Sequence, residues 1–153
     1  MTIYTTSLSD NVRSGANRAV FTGFATVPVA LVAADKVRVV RIPAGTKVDR
    51  VVMSVNGDLD SGTVALTGTL GFEHADGSTG ADIDRVAAVG HAATIAFFRV
   101  ADTLLTNIVY ELFPPEVLEK DAFLTYTCAV APGAQAASAE MHGKVEGEAL
   151  GVK

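Results

Sequence analysis

The amino-acid sequence predicts a mostly β protein folded as an antiparallel β-sandwich, with the jelly roll as a candidate topology. Short apolar runs with a two-residue period are separated by turn residues. Roughly seven to nine such runs occur, at the spacing typical of sandwiches and barrels. They alternate with turns rather than with long helices, which disfavours a doubly wound α/β fold. The 153 residues suit one domain, which can bury a core without disulfides.

The chain divides into a polar opening and a β domain. Residues 1–18 show little periodicity and predict an extended N-terminal arm, whereas residues 19–150 predict a single β-sandwich domain. The arm contains Ile3, Tyr4 and Leu8. We expect these three side chains to dock on a partner, with a frayed terminus as the common alternative. Deletion of residues 2–14 should then weaken attachment and leave the domain folded.

The first strands are predicted because apolar residues recur at every second position. This spacing places them on one face of each strand, which is expected to face a core. Residues 19–33 and residues 47–55 both show this pattern. Between them, residues 36–42 alternate less regularly, because apolar residues fall on both faces. Pro43-Ala44-Gly45-Thr46 then predicts a turn, since proline presets φ and glycine supplies a positive φ. The residues that share a face are Phe21, Ala25, Val27, Val29 and Leu31 in the first strand and Val51, Met53 and Val55 in the strand after the turn.

The second half of the chain contains the most regular strand and the one predicted helix. Thr63–Phe72 alternates an apolar face with a Thr-rich face. A loop from His74 to Gly80 follows, and near-helical spacing of apolar residues predicts a short helix over Ala81–Val89. Pro114-Pro115 predicts a sharp strand end. Further strands are predicted over residues 94–101, 107–113 and 122–130.

The last predicted strand, Glu140–Glu148, carries its charges on one parity and apolar or small residues on the other. This pattern predicts a strand with a charged face toward solvent. Such a face would also discourage pairing with other chains if the strand lay at a sheet edge.

Composition limits the classes of partner. Charged residues make up 19% of the chain and hydrophobic residues 49%, against ~25% charged residues in an average domain. A weakly charged surface of this kind favours a protein partner. The net charge of −5 and the lack of a basic run argue against direct nucleic-acid binding. The part of the sequence that comes closest to a basic run contains Arg38, Arg41, Lys47 and Arg50, and acidic residues interrupt it.

The N-terminus has neither the basic start nor the apolar core of a signal peptide. The longest apolar region, Phe24–Ala34, contains Thr26 and Pro28 and is shorter than the ~20 residues of a membrane span. We therefore expect no membrane association, and a protein that is soluble in the cytosol when it is made.

Residue patterns for catalysis, cofactor binding or metal binding do not occur, and the chain is expected not to be an enzyme. His74, His91 and His142 lie far apart, without the His-x-His pair of a cupin, so loop or surface positions are expected for them. Cys128 is the single cysteine and lies in a strand-like run, where a buried apolar role is expected. No nucleophile elbow, phosphate-binding loop or dinucleotide fingerprint occurs.

Two acidic loops contain oxygen ligands of the kind that hard cations prefer, but each has a simpler structural use. In Asn56–Gly62 the oxygen-bearing residues alternate, as in a calcium loop. Such a loop has a bidentate glutamate at its twelfth position, and this position is Thr67 here, so a solvated turn is expected. Asp76, Asp82 and Asp84 could surround a cation, and capping of the short helix is the simpler use.

Four segments between residues 36 and 130 follow one another in a characteristic order. They are Arg41–Val48 before a strand, Asp60–Thr63 before the strand that ends at Gly71-Phe72, the Asp76-Gly77 loop, and Ala81–Asp84. This order resembles that of small structural proteins of tailed bacteriophages, particularly head decoration or cement proteins. The resemblance implies a homo-oligomeric protein, made in the host cytoplasm, that binds the major capsid protein at the capsid surface and stabilises the head. It implies no catalytic residues.

Three other functions stay open. A tail or neck component of a phage would have much the same sequence features. A ligand- or sugar-binding β module would need an aromatic-lined pocket, which the absence of tryptophan and the 7% aromatic content disfavour. An enzyme on a jelly-roll scaffold would need the scattered histidines and aspartates to converge on one site.

Overall fold

The structure is a computed structural model that describes residues 1–5, 9–13, 18–27, 29–57, 59–60, 66–80, 95–96, 108–134 and 138–150. The strands are β1 (Ile3–Thr5), β2 (Ser9–Arg13), β3 (Arg18–Val27), β4 (Lys36–Ile42), β5 (Thr46–Asn56), β6 (Thr67–His74), β7 (Ile95–Ala96), β8 (Ile108–Val117), β9 (Ala122–Val130) and β10 (Ala139–Ala149). Within these residues no helix has the length and apolarity to cross a membrane. The helix predicted over Ala81–Val89 lies outside them.

The strands form two five-stranded sheets that face each other. Sheet I has the order β1-β4-β9-β6-β7, and sheet II has the order β2-β3-β10-β5-β8. The ladders between described strands are antiparallel except for the pair β1–β4, which is parallel. β3 and β10 of sheet II contact β4 of sheet I across the core. The mostly β fold and the antiparallel sandwich predicted from the sequence are confirmed.

The core lies between the two sheets, because the strands turn their apolar parity inward. The alternation predicted for residues 47–55 and Thr63–Phe72 is confirmed in the described residues of β5 and β6, and β9 also turns apolar residues inward, although Thr125 is buried and Val130 is exposed. Their buried hydrophobic residues are Val48, Val51, Met53 and Val55 in β5, Leu70 and Phe72 in β6, and Ala122, Leu124, Tyr126 and Cys128 in β9. These residues join one continuous hydrophobic cluster.

The irregular alternation of β4 is explained by a β-bulge. Arg38 and Val40 pair with adjacent residues of β9, so Val39 is an extra residue in the ladder. The extra residue changes which parity faces the core. Apolar residues on both parities are therefore buried, namely Val37, Val39, Val40 and Ile42.

β10, the last strand in the chain, lies at the centre of sheet II between β3 and β5. Its charged parity faces outward, as predicted, but it does not protect a sheet edge. The flanking strands supply complementary charges, because Arg18 of β3 and Arg50 of β5 each lie 3.5 Å from Glu146. Cross-strand pairs of opposite charge stabilise a sheet, so a charged parity suits a central strand whose outer face is solvated.

The N-terminal segment contributes an edge strand to each sheet. β1 pairs with β4 in sheet I, and β2 pairs with β3 in sheet II. Asp35, which is 1% exposed, holds β1 in place, since its Oδ1 accepts a hydrogen bond from the Thr2 N–H at 2.7 Å. Its Oδ2 accepts another from the Val32 N–H at 3.1 Å. The described residues of the predicted arm therefore belong to the sandwich, because their backbone groups complete its ladders.

Gly68 of β6 leaves room for the ring of Tyr126 in β9. A Cβ at Gly68 would overlap Cζ and the hydroxyl oxygen of this buried tyrosine and would lie 2.5 Å from the carbonyl oxygen of Thr127. Gly71, on the same strand, has no atom within 4 Å of such a Cβ. The two glycines therefore differ in what surrounds them.

We predict that Gly68→Ala lowers the free energy of unfolding by about 1–3 kcal/mol, because the added methyl group overpacks the core. Gly71→Ala is the matched control, and it should be neutral or raise stability by up to about 1 kcal/mol, since alanine restricts the unfolded chain. Urea unfolding of both variants measures the difference. Equal effects of the two substitutions would contradict the close contact with Tyr126.

We predict that Asp35→Asn costs about 1–3 kcal/mol of stability at pH 7, because the amide oxygen can accept only one of the two backbone hydrogen bonds. Burial opposes ionisation of Asp35, but the hydrogen bonds from Val32 and Thr2 outweigh it and lower the pKa below 3.8. The folded-state pKa is thus the lower one, so the carboxylate stabilises the fold fully above about pH 5 and loses this effect as the pH falls.

The measurement is the free energy of unfolding between pH 6 and pH 3 (roughly the range in which carboxylates protonate). Stability of the wild type should fall more steeply than that of Asp35→Asn. Glu140→Gln, which removes a carboxylate that is 44% exposed, should keep the wild-type slope. Parallel curves for the wild type and Asp35→Asn would show that Asp35 does not carry this pH dependence.

Candidate partner-binding surface

The structure describes two of the three residues predicted to dock on a partner. Ile3 lies in β1 and is 39% exposed, whereas the neighbouring Tyr4 packs against the hydrophobic core. Leu8 lies outside the described residues. Docking through Ile3 therefore stays a prediction, while Tyr4 already has contacts within its own domain.

β8 continues through Pro114 and Pro115 to Val117, so the predicted strand end at the two prolines is wrong. Arg50 and Val48 of β5 pair with Glu111 and Glu116 of β8, which leaves four residues of β8 opposite a single residue of β5. Proline has no N–H to donate, and an edge strand with a bulge tolerates this loss. β8 is the terminal strand of sheet II as described.

An exposed apolar surface runs along β8, and we name Val109, Phe113 and Val117 the β8 edge surface. Their exposed fractions are 47%, 91% and 40%. Leu112 packs against the core, and the next residue, Phe113, projects into solvent. Among the described large hydrophobic residues Phe113 is the most exposed. Exposed apolar residues that recur along one terminal strand make that strand a candidate interaction surface.

The charges next to the β8 edge surface are acidic. Residues 108–119 contain three glutamates and no lysine or arginine, and Glu111 is exposed. Two cations of β5, the strand that pairs with β8, have carboxylate partners on β10: Arg50 lies 3.5 Å from Glu146, and Lys47 lies 4.0 Å from Glu148. The edge of sheet II therefore presents an apolar surface with negative charge beside it.

The centre of the outer face of sheet II is an ion-pair network around Glu146. Lys144 Nζ lies 2.5 Å from Oε1 of Glu146, and Arg18 and Arg50 approach Oε2. The hydrogen bond from Lys144 and the nearby arginines hold the pKa of Glu146 below its ordinary value, against the effect of burial. Arg18 also pairs with Asp49. Three cations and two carboxylates are thus paired with one another within the domain.

His142 lies on the same outer face, in line with the surface position expected for it. Its ring stacks on Phe24 with a centroid separation of 5.8 Å, and its Nε2 lies 3.1 Å from Glu140. His91 lies outside the described residues.

His74 is buried rather than part of a surface loop, so the expectation for this histidine is wrong. It ends β6 with 1% exposure, and its Nδ1 lies 3.0 Å from Oγ of Ser78. Lys120 Nζ donates to the same hydroxyl oxygen at 2.8 Å and to Asp76 at 2.9 Å. Asp76 also accepts hydrogen bonds from Ser78, and together with the bond from Lys120 these lower the pKa of Asp76. These hydrogen bonds connect the turn after β6 to the segment between β8 and β9.

Asp60 is also buried, which corrects the expectation of a fully solvated turn in residues 56–62. Its Oδ2 accepts a hydrogen bond from the Leu66 N–H at 2.9 Å, and its Oδ1 accepts one from the Gly133 N–H at 3.0 Å. The carboxylate therefore joins two loops. In the part of the chain that the structure describes, no group of three or more His, Cys, Asp or Glu residues could hold a metal ion.

Cys128 has the buried position expected for it, with 1% exposure, and burial raises the pKa of its thiol. A buried thiol with a raised pKa is a poor nucleophile.

The four basic residues from Arg38 to Arg50 are each paired with a carboxylate. The pairs are Arg38 with Glu73, Arg41 with Asp121, Lys47 with Glu148 and Arg50 with Glu146. Arg38 and Arg41 lie on β4 of sheet I, and Lys47 and Arg50 lie on β5 of sheet II, so the four do not combine into a phosphate-binding patch.

A groove of about 270 Å³ crosses the outer face of sheet I. Threonines of β6 and β9 line it together with Lys36 and Glu73, whose charged groups are 2.9 Å apart. Its aromatic lining residue is Phe72, which is 7% exposed and belongs to the core. The groove therefore lacks the exposed aromatic wall that sugar binding favours.

No protein-family model matches the chain, and no curated protein matches it. Among solved structures, a chain of the capsid of Ralstonia phage GP4 has a similar fold, with a TM-score of 0.61 and 13% identity over 99% of this chain and 100% of that chain. A chain of the cyanophage Pam1 capsid asymmetric unit aligns with a TM-score of 0.49 and 21% identity over 92% of each chain. At such identities the similarity to the GP4 chain is one of fold, and it extends along the whole of both chains.

Proposed function

We propose that this chain is a non-enzymatic structural protein of a tailed-phage virion, which binds the major capsid protein at the capsid surface and stabilises the head. The observation that carries the proposal is the fold shared with a chain of the GP4 capsid, which includes 99% of this chain and all of that one. The proposal includes association of several copies on the capsid. It also assigns a jelly roll to β3–β10, supported by the strand orders β3-β10-β5-β8 and β4-β9-β6-β7.

The uses of the buried polar groups support a structural role. Asp35 holds β1, Asp60 joins two loops, and His74 holds a turn. Each of these side chains has backbone or hydroxyl partners that explain its burial in terms of folding. These three buried polar side chains thus hold loops and strands together.

A rigid sandwich is suited to stabilise a head mechanically. Pressure from packaged DNA loads the contacts between capsid subunits in tension, and a domain that binds across such a contact adds area that must be separated before the subunits part. Many weak attachments acting together resist separation far better than one does. The ladders and the single core of this domain transmit such a load without a hinge between subdomains.

We predict that the chain is present in purified virions of the phage that encodes it, in an amount comparable with that of the major capsid protein. Quantitative mass spectrometry of the particles measures this ratio, and electron microscopy locates the density. Heads made without the chain should release DNA at a lower temperature than complete heads. Absence from the particles would refute the proposal, whereas density confined to the tail or neck would assign the chain there instead.

A further inference from the structure

Phe113 projects into solvent from the terminal strand of sheet II, with 91% of its surface exposed. We propose that the β8 edge surface is the capsid-binding surface, with Phe113 inserted into an apolar pocket that lysine or arginine side chains surround on the major capsid protein. This inference rests on the proposed function and specifies the site through which it acts.

Phe113 has the properties of an anchor residue. It is 91% exposed, while its neighbour Leu112 and the nearby Tyr110 pack against the core and fix this part of β8 to the sandwich. Val109 and Val117, before and after it on the same strand, are also apolar and exposed. Aromatic side chains that fill a pocket near the centre of an interface commonly provide much of the binding energy.

The two prolines after Phe113 favour recognition by side chains over extension of the sheet. Pro114 and Pro115 lack N–H groups, and they lie in the bulge where β8 leaves its ladder with β5. A partner strand could not form a continuous ladder along this edge. The bulge therefore blocks indiscriminate strand pairing and presents a single aromatic ring.

The charge beside Phe113 indicates the chemistry of the partner. Glu111 is exposed on this edge, and the neighbouring Arg50 is directed to Glu146 of β10. Complementary charge across an interface accelerates association and selects partners, so the surface fits a pocket with cations at its rim. A second copy joined through the same surface about a twofold axis would bring like charges together, which disfavours self-association here.

The test measures binding to heads purified from a phage mutant that lacks the gene for this chain. Phe113→Ser should weaken binding of the purified chain to these heads by about 30-fold or more, the level of an interface anchor. Val32→Ser is the matched control, because Val32 is 51% exposed and lies away from β8, between β3 and β4. It should bind as the wild type does. Both variants should keep the wild-type unfolding midpoint, since both side chains face solvent.

A charge pair of variants tests the cationic rim independently of Phe113. Glu111→Lys should slow association with the same heads at least about fivefold at low salt. Glu140→Lys makes the same change in net charge on the outer face of sheet II and should have little effect, because Glu140 lies on β10 rather than on the edge. Added salt should reduce the difference between the two variants.

The outcomes separate the inference from the proposed function. If the wild-type chain does not bind the heads, the proposed function fails, and the inference fails with it. If the wild type and Phe113→Ser bind equally, the inference alone is overturned and the capsid role stands. If sedimentation shows that the isolated wild type is a dimer and Phe113→Ser a monomer, the surface joins two copies of this chain, which overturns the assignment to the capsid protein.

Discussion

The position of β10 between β3 and β5 is the constraint on which the rest of the sandwich depends. β10 is the last strand of the chain, so sheet II becomes continuous only when the C-terminal segment pairs with strands formed much earlier in the sequence. Its inner face also fixes the distance between the sheets. A Cβ at Gly143 would lie 2.6 Å from Cγ2 of Val40 and 3.0 Å from Cγ1 of Val39, so sheet I approaches closely where β10 has no side chain. Such non-local pairing is typical of β-sandwiches and slows their folding.

The outer face of β10 determines how charge is distributed over sheet II. Glu146 is surrounded by Lys144, Arg18 and Arg50, so the cations of the neighbouring strands are drawn to the centre of the sheet. The terminal strand β8 is left with apolar residues and glutamates. A central region that satisfies its own charges is suited to rigidity, and an edge with apolar and acidic groups is suited to binding a partner.

Buried polar residues connect the loops to this framework. Asp35 binds the N-terminal strand, Asp60 joins the loop after β5 to the loop after β9, and His74 contacts the turn that follows β6. A buried carboxylate is stable only when hydrogen bonds replace the water it has lost, and backbone N–H groups do so here. Asp60 and Asp76, which the sequence placed in candidate cation loops, therefore have structural partners, whereas Asp82 and Asp84 lie outside the described residues.

The sequence by itself determined the fold class and the inward parity of β5, β6 and β9, because alternation along one strand is a local property. It also contained a signal for the exposed apolar residues of β8, since Val109, Glu111 and Phe113 share a parity that mixes apolar and charged residues. Only the tertiary structure decided that β10 is central, that β4 contains a bulge, that β8 continues past its prolines and that His74 and Asp60 are buried. These features depend on which remote strands and loops pair, and periodicity within a single strand does not encode its partner.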